Sequence, residues 1–330
     1  MSLINTSPRY SRADAKAYAR THLRGVWGAI PYPFTRDDEL DEQGLRSNIR
    51  YCIDNNLLAG IYCGHFMSEF WALTTEERKR AAEIVVDECR GRIPVMIHTG
   101  HTSVKESVEL SHHAERIGAD YLAVGNPYFL AYDDEQIYSY FRYISDRTEA
   151  GILITNTGYT GITLSPEMVS RLADLENIIA VKNSPKMPHT LETLRLVGDR
   201  ILVSHPDERN FFSLMVEHSC QLYMSSASPF LIQRPGHTLI KNYTALVFEN
   251  RIDEAAAIAR RLDPMRQVFD KWLRDPWPTR RVMPIAYLKA WCDLMGMVGG
   301  PVRPPLMQIT DDEREELRQD LVNAGLIYTQ

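Results

Sequence analysis

What the 330-residue sequence lacks narrows its class before any motif is found. Five cysteines (Cys52, Cys63, Cys89, Cys220 and Cys292), odd in number and without a CxxC pair, exclude a disulfide framework or a zinc ribbon. They read as small buried hydrophobes. No apolar run is long enough to span a bilayer, and Met1-Ser2-Leu3-Ile4 has neither the charged region nor the apolar core of a secretory signal. A soluble, cytoplasmic protein with no membrane partner is therefore expected. There is no basic stripe: 37 Lys and Arg against 43 Asp and Glu leave a net charge of -6, which argues against nucleic acid, whose binding depends on clustered cations. No Gly-rich phosphate turn follows the first strand-like segment, which stops at Pro31-Tyr32-Pro33. His65, His205 and Asp207 show no HxH or HxxxH spacing, so no metal is expected either.

What is present is an ordinary globular composition, 44% hydrophobic and 24% charged, with a strict alternation of patterns. Strand-like segments at 25–30, 59–63, 93–98, 121–124, 151–155, 178–182, 201–204 and 221–225 alternate with helical spacing at 41–55, 75–90, 103–117, 134–148, 165–173, 190–197 and 208–218. Thr74-Thr75-Glu76-Glu77 and Ser103-Val104-Lys105-Glu106 open helices as capping boxes do, and Ser165-Pro166-Glu167 puts proline at a first helical position. About eight strand–helix units predict an α/β protein of the (β/α)8 TIM-barrel class over 24–229, since right-handed crossovers close such a series into a parallel barrel. Residues 1–23 read as an N-terminal arm. Residues 230–330 show only helical spacing, at 239–248, 252–273, 284–295 and 311–324, and read as a C-terminal helical region.

A barrel carries its chemistry at the C-terminal ends of its strands. Those ends offer Tyr32, the loop Gly64-His65-Phe66-Met67-Ser68-Glu69, His98, Asn126 with Tyr128, Thr155 with Asn156, Lys182, His205 with Asp207, and Ser225 with Ser226. Only one of them is a lysine. The apolar run Ile179-Ala180-Val181 ends abruptly in Lys182, where burial lowers an amine's pKa and leaves more of the free base, as a Schiff-base nucleophile requires. A strand-end lysine that reaches solvent or pairs with a carboxylate is the plainer alternative.

Taken in order, several of these segments resemble the dihydrodipicolinate synthase / N-acetylneuraminate lyase superfamily of class I aldolases. The likeness runs from residue 25 to 306. It rests on Gly25-Val26 to Pro33-Phe34, Leu73-Thr74-Thr75-Glu76-Glu77-Arg78, Gly118-Ala119-Asp120, Asn126-Pro127-Tyr128-Phe129, Asn156 with Thr160-Gly161, Val181-Lys182-Asn183-Ser184 and Gly300-Pro301-Val302-Arg303-Pro304-Pro305-Leu306. The resemblance implies a TIM barrel with a helical C-terminal region, a homotetramer or homodimer, no cofactor and no metal. It also implies an imine between Lys182 and a 2-oxo acid such as pyruvate, an electron sink for making or breaking the adjacent bond.

The departures from the family pattern matter as much. Phe66 and Met67 stand where small hydroxyl residues hold the 2-oxo acid carboxylate, leaving Ser68 and main-chain N–H groups for that task. Thr155 occupies the place of the family's proton-relay tyrosine, so Tyr159 or His98 is expected to supply the relay, or else a water held by Thr155 and Asn156. Asn156, Tyr128 and Ser225 complete the expected substrate-binding set. Tyr159 lies where the lysine-biosynthesis enzymes have an arginine for a second carboxylate, which makes condensation with aspartate semialdehyde an unexpected activity. The leading expectation is a cofactor-independent lyase, aldolase or dehydratase. The alternatives are a hydratase-aldolase acting on aromatic 2-oxo acids, an enzyme using the lysine on an aldehyde or ketone, and a non-catalytic paralogue that only binds a small carbonyl ligand.

Overall fold

The computed structural model describes residues 9–128, 132–225 and 227–328. Eight parallel strands, β1 (Gly25–Ile30), β2 (Gly60–Cys63), β3 (Val95–His98), β4 (Tyr121–Gly125), β5 (Gly151–Asn156), β6 (Ile178–Asn183), β7 (Leu202–Ser204) and β8 (Leu222–Met224), form one sheet in the order β7-β6-β5-β4-β3-β2-β1-β8. Every strand is buried along its whole length, as parallel strands covered on both faces must be. Helix α1 (Ala15–His22) precedes β1. Helices α2 (Glu42–Asp54), α3 (Thr75–Cys89), α4 (Val104–Ile117), α5 (Asp134–Ser145), α6 (Pro166–Leu172), α7 (Met187–Val197), α8 (Glu208–His218) and α9 (Ser228–Leu231) each follow one strand. This is the (β/α)8 barrel class expected from the alternation.

After the last strand come α10 (Leu239–Phe248), α11 (Ile252–Arg260), α12 (Asp263–Phe269), α13 (Pro276–Arg280), α14 (Ile285–Leu294) and α15 (Asp311–Asn323). The single helix expected over 252–273 is thus broken. Pro264, in the first turn of α12, has no N–H with which to continue α11, and a π-helical turn at Asp270–Arg274 follows. Helix α7 begins at Met187, three residues earlier than its spacing suggested, because Pro188 is well placed in a first turn. Of the two expected capping boxes, Thr74 with Glu77 is reciprocal, whereas Ser103 only accepts from the Glu106 amide.

The chain forms two compact units: residues through Gly25 with Pro94–Met224, and Val26–Ile93 with the segment from Ser225 onward. In the first, the N-terminal arm lies against the starts of β4 and β5. The Tyr10 hydroxyl donates to the Asp120 carbonyl at 2.6 Å and accepts from the Gly151 amide at 2.9 Å, and Lys16 donates to the Ala173 carbonyl at 2.6 Å.

In the second unit, a buried charge cluster ties the C-terminal segment to the loops after β1 and β2. All five N–H groups of Arg303 are used: on Glu77 at 2.6 and 3.0 Å, on the Ala72 carbonyl at 2.9 Å, on the Asp38 carboxylate at 2.9 Å and on the Asp38 carbonyl. The Lys289 ammonium lies 2.5 Å from a Glu69 carboxylate oxygen and donates to the Pro301 carbonyl at 2.8 Å, while the other Glu69 oxygen accepts the Arg303 amide at 2.9 Å. The Phe34 ring contacts both cations, its centre 4.2 Å from each. Gly300 is required here, because at φ 68 its missing Cβ would fall 2.5 Å from the Phe34 carbonyl oxygen.

Because removing one member of a buried ion pair strands the other, Lys289→Met should lower the urea unfolding free energy by about 3–5 kcal/mol. Arg251→Met, which removes a pair exposed on α11, should leave the unfolding midpoint where it is. Equal, small effects of the two substitutions would contradict this assignment.

Candidate active site

The geometry around Lys182 follows from strand register. Residues opposite one another on neighbouring strands project on the same face, and successive residues alternate. Between β5 and β6 the register slips by one: Ile152 is opposite Ile178, but Leu153 is opposite Ala180. The extra residue, Ile179, is accommodated because Gly151 has no Cβ, which would meet the Ile179 side chain at 2.8 Å. As a result Lys182 lies opposite Thr155 on one side and Ser204 of β7 on the other. Without the slip it would face Asn156. Lys182 is 6% exposed, and burial lowers its amine pKa to about 8. Thr155 and Ser204, both buried, flank it; the Ser204 hydroxyl accepts the Met224 amide at 2.8 Å, tying β8 to β7 and leaving its proton for another acceptor.

The opposite face, toward the helices, holds a chain of amides. Asn126 donates to Asn156 Oδ1 at 3.2 Å, Asn156 donates to Asn183 Oδ1 at 2.9 Å, and Asn183 reaches His189 and Thr190 at the start of α7. Asn156 also accepts from the Leu164 amide at 2.9 Å and donates to its carbonyl at 3.1 Å, so all four of its hydrogen-bonding positions are filled by protein. The expectation that Asn156 binds substrate, or a catalytic water, is corrected accordingly: it points away from Lys182 and orders the strand ends. Alternation alone could have signalled this, since adjacent residues of one strand do not both face the same side.

The other candidates of this unit are dispersed. His98 shares the face of Lys182, through the row His98, Ala123, Leu153, Ala180 and Leu202, but three strands away and one pair earlier in register. Tyr159 lies in the short 3-10 turn Gly158–Thr160 after β5, 40% exposed, and burial raises its phenol pKa. Tyr128 is half-buried just beyond β4. The neighbouring Phe129, and Ser226 after β8, lie outside the described residues. His205 has both ring nitrogens engaged, Nε2 with the Pro185 carbonyl at 3.2 Å and Nδ1 accepting the Asp207 amide at 3.2 Å, so it orders the loop after β6. No group of three or more His, Cys, Asp or Glu among the described residues is placed to hold a metal ion.

In the second unit, the loop after β2 is braced from inside. Ser68, expected to hold a substrate carboxylate, donates its hydroxyl proton to the Ile30 carbonyl at 2.8 Å and accepts from the Gly64 amide at 3.1 Å. It therefore shapes the loop and has no proton left to give a carboxylate. Met67, also expected in the pocket, packs against Ile285, Ala286 and Val302 of the C-terminal region. Phe66 joins an aromatic group with His65, Phe70 and Trp71, at ring separations of 4.4, 5.6 and 6.0 Å. Glu69, in the left-handed conformation at φ 52, is the buried partner of Lys289. Ser225 is buried after β8, its amide donating to the Trp27 carbonyl at 3.1 Å.

Residues 22–324 match the model of the dihydrodipicolinate synthetase family. The chain belongs to that family. It is 30% identical to a 4-hydroxy-tetrahydrodipicolinate synthase of Pelobacter propionicus, over 92% of this chain and 100% of the relative. Among solved structures it resembles, at 25% identity and a TM-score of 0.81, a prophage protein of the same family from E. coli K12 in complex with pyruvate, covering 92% of this chain and 99% of that one. It is also similar to a protein described as the first monomeric dihydrodipicolinate synthase variant, with 25% identity, a TM-score of 0.80, and coverage of 94% and 99%. As a member of the dihydrodipicolinate synthetase family the chain is a lyase of the Schiff-base aldolase class. No helix among the described residues is long and apolar enough to cross a membrane.

With the amine pKa near 8, reaction of Lys182 with an acylating reagent, followed by peptide mapping, should rise as pH passes through about 8 and level off above it. The free base predominates above the pKa, so a midpoint near the ordinary lysine value would contradict the burial argument.

Proposed function

We propose that this protein is a cofactor-independent lyase in which Lys182 forms an imine with a 2-oxo acid, pyruvate or a longer pyruvate-containing aldol. The observation that carries the reading is the buried strand-end amine whose pKa is lowered to about 8, so that a usable fraction is the free nucleophile near neutrality. The amine attacks the C2 carbonyl, the carbinolamine loses water, and the protonated imine accepts the electron pair released when the C3–C4 bond breaks; in a dehydration it accepts the pair left when a proton leaves C3, and the enamine so formed expels hydroxide from C4. In the condensing direction the same enamine attacks an aldehyde.

Proton transfer must be supplied differently from the family's tyrosine, since Thr155 has neither its acidity nor its reach. Tyr159 and His98 remain the candidates; a raised phenol pKa suits Tyr159 to donating a proton rather than to holding a phenolate. An aromatic 2-oxo acid as the substrate is the narrower form of the same reading. Homo-oligomeric assembly belongs to the same reading, although one similar chain is described as monomeric.

Borohydride with pyruvate should add the reduced adduct mass to the wild-type protein and not to Lys182→Ala. An adduct that survives in the alanine variant, or none with any 2-oxo acid tested, would sink the proposal. Turnover of pyruvate with aspartate semialdehyde should be poor, because no arginine stands around Tyr159 to pair with a second carboxylate. Activity comparable to a dedicated synthase would overturn that part of the reading. If Tyr159 is the relay, Tyr159→Phe should depress kcat and leave the Lys182 adduct detectable; His98→Gln is the parallel test, and near-wild-type turnover in both would rule out both.

A further inference from the structure

The amide chain behind Lys182 has a direction, and one histidine sets it. His189 Nε2 faces the Leu164 carbonyl at 2.9 Å, and a carbonyl only accepts, so the proton of the ring is on Nε2. Nδ1 is then an acceptor, and Asn183 must present its NH2 group to it, at 3.0 Å, with the second proton going to the Thr190 hydroxyl at 3.1 Å. That orientation turns Asn183 Oδ1 toward Asn156, whose own NH2 donates to it at 2.9 Å. Asn156 Oδ1 then accepts from Asn126 and from the Leu164 amide, and Asn126 also donates to the Ile162 carbonyl at 2.8 Å. At the far end, Asn126 Oδ1 is buried with no donor among the described residues, so nothing there opposes the direction imposed at His189.

The chain therefore ties three things together: the ends of β4, β5 and β6, the start of α7, and residues 162–164 of the loop that carries Tyr159. Asn156 and Asn183 each directly follow the residues, Thr155 and Lys182, that face each other across the register. A rotation of either strand end that breaks the amide contact also moves the amine against its neighbour.

We propose that His189, which touches neither Lys182 nor substrate, is a positioning residue for the imine chemistry: as the Nε2–H tautomer it latches the loop after β5 to the end of β6 and fixes the orientation of Lys182. The inference rests on the Schiff-base reading of Lys182. Replacing both ring nitrogens, in His189→Phe, takes the acceptor from one Asn183 N–H, leaving Thr190 as the partner of the other, and removes one of the two donors to the Leu164 carbonyl, leaving Asn156. His189→Gln can restore a donor to Leu164.

The test is the rate of pyruvate-dependent borohydride trapping at Lys182, measured across pyruvate concentration for wild type and both variants. We expect His189→Phe to lower the maximal trapping rate by about tenfold, because small misplacements of a reacting group cost this much or more, with half-saturation nearly unchanged, and His189→Gln to recover part of the loss. Should His189→Phe fail to fold, the wild-type and His189→Gln rates carry the comparison, a lowered maximum at unchanged half-saturation supporting the latch. Wild-type trapping with unchanged rates in the folded variants overturns the positioning role and leaves the Schiff-base reading intact. Absence of a wild-type adduct overturns that reading, and this inference with it.

Discussion

The rest of the site depends on one residue of slippage between β5 and β6. A strand gives each of its faces every second residue, so the face on which Lys182 emerges is decided by register and by nothing in its own side chain. The extra Ile179, made possible by the bare Cα of Gly151, turns Lys182 to lie beside Thr155 and Ser204 and turns Asn183 to the helices. Desolvation does the remaining work, since an amine held in a buried layer is a weaker base than one in water. The polar neighbours on the helix side are as specific as those beside the amine, and they keep the strand ends from splaying.

A second constraint lies in the other unit, where the segments most characteristic of the family converge on structure rather than on chemistry. Pro33-Phe34, Leu73-Thr74-Thr75-Glu76-Glu77 and Gly300-Pro301-Val302-Arg303 look in the sequence like separate marks. In the fold they are the parts of one cluster, with Arg303 bound to Glu77 and stacked on Phe34, and Glu69 paired with Lys289. Glu69, which the sequence offered among the residues at the strand ends, is accounted for by this cluster. A buried carboxylate in a left-handed turn at the end of the loop after β2 fixes where that loop stops, and Ser68 fixes where it starts.

The barrel and the buried strand-end lysine were legible in the sequence for physical reasons. Alternating apolar runs and capped amphipathic helices report a parallel α/β sheet directly, and a lysine closing an apolar β-branched run stands out because burying it is costly. Less legible was the use made of small polar residues. Ser68, Asn156 and Thr155 look alike on paper, yet Ser68 binds backbone, Asn156 binds backbone and neighbouring amides, and Thr155, next to Asn156 in the same strand, shares the lysine's face. The position of Met67 depended on α14 and Val302, more than 200 residues away in the chain, which no local pattern conveys. The break in the helix over 252–273 was passed over because periodicity hid Pro264.

The most direct measurement of the central claim is a crystal structure of the protein soaked with pyruvate. The account predicts continuous density from Lys182 Nζ to the C2 carbon of the ligand, on the face shared with Thr155 and Ser204, with the chain from Asn126 through Asn156 and Asn183 to His189 unbroken behind it. Pyruvate bound without a bond to Lys182, or joined to a different lysine, would contradict it.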